Sequence, residues 1–117
     1  MIVIATPTRD QVYAGFSYDL VNLIKQSPDA VYTVSQGTIL PNLRELLVKT
    51  SKDAGATHIL FIDSDMRFPA YTLQLLLAHD LDIVGANCIQ RTQQEFTARK
   101  NGKFVSSKDR KIFRVVV

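Results

Sequence analysis

The feature that most restricts the fold of this chain is the run of residues 58–62, His58-Ile59-Leu60-Phe61-Ile62. After its histidine the run is entirely apolar, which is typical of strands in parallel sheets because helices cover both faces of such sheets. Segments with apolar residues at helical spacing lie on either side of it, so strands and helices alternate along the chain. We therefore predict an α/β fold in three layers, with an open and mostly parallel sheet between helices on both faces.

The predicted elements follow this alternation up to residue 89. The strands share short runs of apolar and β-branched residues and cover residues 2–6, which stop at Pro7, and residues 30–34, 58–62 and 83–89. The helices share apolar residues at three- and four-residue spacing and begin after a cap at Asp10, near Pro41 and at Pro69, the last ending at about His79. In the first helix the apolar residues at helical spacing are Tyr13, Phe16, Leu20, Leu23 and Ile24. The expected inward residues of the other two helices are Leu43, Leu46, Leu47 and Thr50, then Leu73, Leu76 and Leu77.

Beyond Arg91 the pattern changes from helical to hairpin-like. Asn101-Gly102 is a strong signal for a two-residue turn, and it lies between residues 96–100 and 103–105, which both favour strands. Residues 112–117 predict a further strand at the end of the sequence. We therefore expect a single domain over residues 1–117, with an α/β core in 1–92 and a hairpin and terminal strand in 93–117.

Composition restricts the class of protein and its partners. The 117 residues are 46% hydrophobic and carry a formal charge of +3, which fits one soluble domain with an anionic ligand and does not call for a nucleic-acid partner. The single cysteine, Cys88, excludes an internal disulfide. No signal-peptide pattern and no run of membrane-spanning length is present, so we expect a cytoplasmic protein without a membrane span. A homo-oligomer remains open.

Polar side chains follow three of the predicted strands. Residues 7–10 come after the first, Ser35-Gln36 after the second, and Asp63-Ser64-Asp65 after the run at 58–62. Ligands of open α/β sheets collect outside the carboxyl ends of the strands, so these clusters should converge on one cleft. Carboxylates two residues apart suit one hard cation, Mg²⁺ or Mn²⁺, and such a cation neutralises a diphosphate.

The segment around the two aspartates resembles a known family. Residues 59–65 followed by Met66-Arg67-Phe68-Pro69 resemble the DxD segment of GT-A glycosyltransferases, within the nucleotide-diphospho-sugar transferase superfamily. The similarity extends to residues 4–9, to Asn42 and Arg44, and to residues 84–87, and so covers most of residues 1–92. It implies a Rossmann-like nucleotide-binding core and a metal-dependent hexosyltransferase that uses a nucleotide-diphosphate sugar, with a UDP-sugar favoured and the acceptor unknown.

The same resemblance implies roles for individual residues. Asp65 would bind Mn²⁺ or Mg²⁺ directly, and Asp63 would hold the ribose or a metal-bound water. The remaining donor-binding residues would be Thr6, Pro7, Thr8, Arg9, Ser35, Arg44 and Ser64, with Arg44 contacting the diphosphate or the base. The plain structural explanation is that the aspartates end a strand and cap the next helix, and that Arg44 is a solvated helix residue.

The catalytic residues stay unassigned. Members of the family carry a general base in an acceptor-binding half, and downstream of Arg91 only the isolated Glu95 and Asp109 are acidic. The chain would then be a minimal enzyme, a fragment completed by a partner, or a binder that hydrolyses its ligand slowly. Two alternatives are a non-catalytic nucleotide-binding module and a haloacid-dehalogenase-like phosphatase, although that family places DxD near the N-terminus and follows it with Thr or Val, where this chain has Met66.

Overall fold

A computed structural model describes residues 1–86, 99–100 and 103–104, the last four by their backbone. The elements, in chain order, are β1 (Ile2–Thr8), α1 (Ala14–Lys25), β2 (Ala30–Gln36), α2 (Leu40–Asp53), β3 (His58–Phe61), α3 (Thr72–Ala78), β4 (Arg99–Lys100) and β5 (Lys103–Phe104). The alternation of strands and helices over the first 78 residues confirms the α/β class. The chain forms two compact units, Met1–Gln74 and Leu75–Val117, and the predicted boundary at residue 92 lies outside the described residues.

The strands of the first unit form a three-stranded parallel sheet in the order β2-β1-β3. β1 is central and pairs with β2 over its whole length, from Ile2 opposite Ala30 to Thr8 opposite Gln36. Its pairing with β3 stops where Ala5 lies opposite Phe61. The parallel sheet is confirmed, and its three carboxyl ends therefore lie along one edge.

β1 runs through Pro7 to Thr8, so the predicted stop at Pro7 is wrong. Backbone groups of a strand point alternately to its two neighbours. The carbonyl of Ala5 accepts from Ile62 on the β3 side, and that of Thr8 accepts from Gly37 on the β2 side. The nitrogen of Pro7 therefore points to the β3 side, where β3 has already ended, and proline breaks no ladder bond there.

Side chains alternate between the two faces of β1, and each face has its own apolar core. Ile4 packs in a buried cluster with two residues of α1, Phe16 and Leu23, and with Ile62 and Leu73. Val3 and Ala5 pack on the other face with Leu47 of α2. Burying an aliphatic or aromatic side chain of this size contributes roughly 1.5–3 kcal/mol, so these two clusters supply the main stabilisation of the sheet.

The inward face of α2 is narrower than the sequence pattern predicts. Its buried residues are Leu43, Leu47 and Ser51, which follow one another at four-residue intervals, whereas Leu46 and Thr50 are exposed. The hydroxyl of Ser51 donates to the carbonyl of Leu47 at 2.6 Å, and this local bond makes its burial inexpensive. The expected inward positions of Leu46 and Thr50 are therefore wrong, as is that of Leu77, which is exposed as well. Tyr13, which shares the helical spacing of the first helix, is also exposed.

Two helices begin later than the cap signals indicate. α1 begins at Ala14 with Tyr13 as its N-cap residue, so Asp10 does not cap it. α3 begins at Thr72 because residues 69–72 form a turn, in which both the amide and the hydroxyl of Thr72 donate to the carbonyl of Pro69. After the end of α2, Gly55 adopts a φ of +86°, a left-handed conformation that glycine commonly provides where a helix stops.

The second unit is described in part. β4 and β5 pair antiparallel, with Arg99 opposite Phe104 and Lys100 opposite Lys103. The predicted turn residues Asn101 and Gly102, the predicted strand at 112–117, and residues 87–89 of the one predicted at 83–89 lie outside the described residues. Residues 83–86 are described and form no strand beyond an isolated bridge at Gly85. Within the described part of the chain, no helix is long and apolar enough to cross a membrane.

Candidate functional site

The three loops that follow β1, β2 and β3 are joined to one another by hydrogen bonds. The amide of Gly37, after β2, donates to the carbonyl of Thr8 at 3.0 Å. The amide of Tyr13, which ends the loop after β1, donates to the carbonyl of Ser64 at 3.0 Å. The polar clusters that the sequence places at three strand ends therefore lie along one edge of the sheet.

Arg44 and Asp63 form an ion pair at the end of β3. Nη2 of Arg44 donates to Oδ1 of Asp63 at 2.9 Å, and both side chains are exposed, with relative exposures of 42% and 56%. The guanidinium carbon of Arg44 also lies 5.4 Å from the ring centroid of Phe61, within cation–π range. Arg44 therefore reaches from α2 over the end of the strand and places a cation beside the first aspartate, at the surface.

The two aspartates belong to a tight turn. The amide of Met66 donates to the carbonyl of Asp63 at 3.2 Å, which closes the turn over residues 63–66. Asp63 and Asp65 are exposed, and Ser64 between them is half-buried, its carbonyl held by the amide of Tyr13. The turn therefore carries two exposed carboxylates on a backbone that is bonded to the loop after β1.

The predicted contacts at residues 6–9 divide into buried and exposed groups. Thr6, Pro7 and Thr8 are buried, and Arg9 is exposed. The hydroxyl of Thr8 donates to the carbonyl of Gln11 at 2.6 Å, while Oγ1 of Thr6 has no hydrogen-bond partner among the described residues. Ser35 is half-buried opposite Pro7. Donor contacts by these residues stay predictions, and Arg9 is the one of residues 6–9 whose side chain already faces solvent.

The sequence analysis missed a second ion pair, between Asp19 of α1 and Arg67. Nε of Arg67 lies 2.7 Å from Oδ2 of Asp19, and Nη2 lies 3.3 Å from Oδ1. The amide of Phe68 donates to the same Oδ2 at 3.0 Å. Asp19 is thus a buried carboxylate with three donors, and the segment that follows the two aspartates is attached to α1.

The surroundings of Asp19 favour its ionised form. The hydrogen bond from Arg67 lowers the pKa of Asp19, burial acts in the opposite direction, and the amide of Phe68 and the charge of Arg67 lower it further. The same hydrogen bond raises the pKa of Arg67. The pair is therefore charged on both sides at neutral pH.

One signal for this pair was present in the sequence. Asp19 lies three residues after Phe16 and four before Leu23, and therefore on the apolar face of α1. A carboxylate on a buried face needs a cation or several donors, because an unpaired buried charge is very costly. This pattern was a signal that Asp19 has a partner, and the sequence analysis did not use it; nothing local indicates that the partner is Arg67, 48 residues away.

The acidic residues at the edge are few. Among residues 1–86, no group of three or more His, Cys, Asp or Glu side chains is arranged to hold a metal ion. Asp63 and Asp65 therefore offer a partial set of oxygen ligands.

Comparisons with protein-family models, with curated proteins and with solved structures find no match.

Proposed function

We propose that the chain is the donor-binding core of a metal-dependent glycosyltransferase of the GT-A type, with a nucleotide-diphosphate sugar as ligand and a UDP-sugar as the first candidate. The supporting observation is the exposed Arg44–Asp63 pair at the carboxyl edge of a parallel sheet, on the turn that also carries Asp65. This edge is where open α/β sheets bind their ligands. In this proposal the sheet is the middle layer of three.

The carboxylates fit a hard cation that arrives together with the diphosphate. Mg²⁺ is commonly held by one or two protein carboxylates while phosphate and water oxygens complete its coordination. Asp63 and Asp65 are two such carboxylates, and the described residues bring no third His, Cys, Asp or Glu to them. Charge on the departing diphosphate would be neutralised by the bound Mn²⁺ or Mg²⁺. Tight binding of the metal alone is not expected from this ligand set.

Arg44 has a part in the same proposal. A guanidinium binds carboxylate and phosphate in the same forked geometry, so it can exchange Asp63 for a phosphate group. An exposed ion pair contributes only about 0–1 kcal/mol, so the exchange costs little. In this proposal Asp63 then binds a ribose hydroxyl or a metal-bound water, and Asp65 binds the metal itself.

The loop after β1 supplies the other side of the site. Arg9 is exposed there and provides a second guanidinium for an anionic ligand. Thr6, Pro7 and Thr8 lie beneath it as buried residues of β1, so they would shape the floor against which a base or ribose packs. Ser35, opposite Pro7, and Ser64, whose carbonyl is bonded to the amide of Tyr13, are half-buried and would contribute hydroxyl contacts.

Calorimetric titration of nucleoside diphosphates and nucleotide sugars, with manganese and with chelator, tests the proposal. Binding should require the cation, and Asp65→Ala should weaken it by about 1.5–3 kcal/mol, as expected for the loss of a bond to a charged group. Ser64→Ala in the same turn should weaken binding less than Asp65→Ala does, and Asp29→Ala, which removes an exposed carboxylate before β2, is the control and should bind normally. Equal affinity for the nucleotide in chelator and in manganese would contradict the proposed metal site at Asp63 and Asp65. Metal-dependent binding without any turnover would favour the non-catalytic nucleotide-binding module.

A further inference from the structure

The turn with the two aspartates is attached to α1 at both of its ends. Before Asp65, the carbonyl of Ser64 accepts from the amide of Tyr13, the N-cap residue of α1. After Asp65, Arg67 and the amide of Phe68 bind Asp19, one and a half turns further along the same helix. The metal-binding candidates therefore lie between two attachments to one helix.

The attachment through Arg67 is directional. Two nitrogens of the guanidinium meet two oxygens of Asp19, an arrangement that fixes the plane and the angle of approach as well as the distance. The carboxylate is 10% exposed, while the arginine side chain is 68% exposed. Because Asp19 is buried on a rigid helix, it is the fixed partner, and Arg67 is held against it.

Gly15 makes room for this arrangement. It lies in the first turn of α1, one helical turn before Asp19, and Arg67 crosses the helix at this point. A Cβ atom on Gly15 would lie 2.7 Å from Cδ of Arg67 and 2.9 Å from both Nε and Nη1. Cβ atoms essentially never approach other atoms closer than 3.0 Å, so any larger residue would displace Arg67.

Apolar contacts also hold residues 66–68 against the core, but they restrict the orientation of the segment less than the hydrogen bonds do. Phe68 packs edge-to-face on Phe16 at a centroid distance of 5.8 Å, and Met66 packs against the same core. Such contacts keep the segment close to α1, but they are non-directional and tolerate small shifts and rotations. The orientation of a ligand carboxylate must be held within about 0.5 Å to be productive, which directional bonds provide.

From these contacts we infer that Asp19 and Arg67, seated over Gly15, are positioning residues that hold the turn of residues 63–66 and thereby place Asp63 and Asp65 for a divalent cation. The cation in this inference rests on the proposed function. The hold on the turn itself does not, because it is a property of the ligand-free protein.

Three variants break the attachment in different ways. Gly15→Ala displaces Arg67 without removing a charge, and alanine is a better helix former than glycine. Arg67→Met keeps the length of the side chain and removes the fork, while Arg67→Lys keeps the charge and loses the two-pronged geometry. The controls are Ser17→Ala, an exposed position on α1, and Lys52→Met, which removes a surface cation on α2.

The first measurement is amide hydrogen exchange in the ligand-free protein. The amides of Met66 and Tyr13 should exchange about tenfold faster in Gly15→Ala and Arg67→Met than in the wild type, because the turn opens locally. The amide of Ile62, which donates to Ala5 in the sheet, should not change in any variant. Unchanged exchange at Met66 and Tyr13 in both variants would overturn the inference.

The second measurement is titration of a nucleoside diphosphate with manganese and with chelator. The manganese-dependent affinity should fall about tenfold in Gly15→Ala and Arg67→Met and less in Arg67→Lys, since the carboxylates remain but are less well placed. Melting temperatures of the two controls and their affinities should match the wild type. If Gly15→Ala and Arg67→Met exchanged faster but kept the full manganese-dependent affinity, Asp19 and Arg67 would have no role in placing the carboxylates. A wild type that binds no diphosphate would instead defeat the proposed function, and exchange would still decide whether the pair holds the turn.

Discussion

The carboxyl edge of the sheet has two sides that differ in how their polar groups are used. The closed side, residues 6–8 of β1, is buried, and the Thr8 hydroxyl donates to the carbonyl of Gln11. The charged side, Arg44 with residues 63–67, carries its polar groups as ions, with Arg44 and Asp63 exposed. In the proposed function the closed side is the floor of the site, and the charged side supplies groups for an anionic ligand and a cation.

Because of this difference, we expect substitutions on the two sides to affect different properties, stability on the closed side and ligand affinity on the charged side. Changes on the closed side should alter the free energy of unfolding, because its side chains are buried. Changes at Arg44 and Asp65 should alter ligand affinity with little effect on unfolding, because exposed ion pairs contribute little to stability.

The largest expected effect concerns transfer, for which we assign no general base among the described residues. The purified chain should bind its best nucleotide sugar with manganese and release nucleotide slowly, with little glycoside, because transfer without a positioned base forfeits a factor of about 10²–10⁴. Nucleotide release and glycoside formation should be followed separately over candidate acceptors. Rapid transfer that depends on an acceptor would show that Glu95, Asp109 or a partner subunit supplies the base.

The next effect is at Arg44, where the comparison predicts loss of binding alone. Arg44→Ala should lose about 1.5–3 kcal/mol of diphosphate affinity, the value of a hydrogen bond to a charged group. Its melting temperature should barely move, and Lys49→Ala on the same helix should bind as the wild type does. Titration and thermal unfolding of both variants make the comparison. If Arg44→Ala bound the diphosphate with full affinity, Arg44 would be a solvated residue of α2 and not a ligand contact.

A smaller effect tests the closed side: substitutions of Thr6 and Thr8 should change the free energy of unfolding in opposite directions. Thr6→Val removes a buried hydroxyl without a partner among the described residues and should raise the free energy of unfolding by about 1 kcal/mol. Thr8→Val removes the bond to Gln11 and should lower it by about 0.5–1.5 kcal/mol. Urea unfolding measures both. If the two variants shifted stability in the same direction, the division between the two threonines would be wrong.

The smallest expected effect is a pH dependence of the free energy of unfolding that comes from Asp19. This carboxylate binds Arg67 of the charged side. Its pKa is lowered in the folded protein by the bond from Arg67, so its contribution is complete above the unfolded value of about 3.9 and is lost as the pH falls through the lowered folded pKa. The difference in unfolding free energy between wild type and Asp19→Asn should be constant from neutral pH down to about pH 5 and shrink in acid. The same difference at neutral pH and in strong acid would contradict this assignment.

Much of the fold could be predicted from the sequence because its signals are local. Apolar spacing indicated the strands and helices of residues 1–78, and the buried run before Asp63 indicated a parallel strand that ends in carboxylates. Errors arose where tertiary pairing overrides a local rule. Pro7 lies inside β1 because β3 ends early, and Leu46 is exposed because the contact stripe of α2 is narrow.

The sequence by itself determined the order of the elements and that polar residues follow three strands, since both depend on neighbours in the chain. The tertiary structure alone decided which of those polar residues meet. Arg44 and Asp63 are 19 residues apart and Asp19 and Arg67 are 48 apart, and no periodicity joins positions at such separations. Pairing of β1 with β3, packing of α1 against Ile4 and packing of α2 against Val3 and Ala5 bring these charges together, because the fold sets distances that spacing along the chain does not contain.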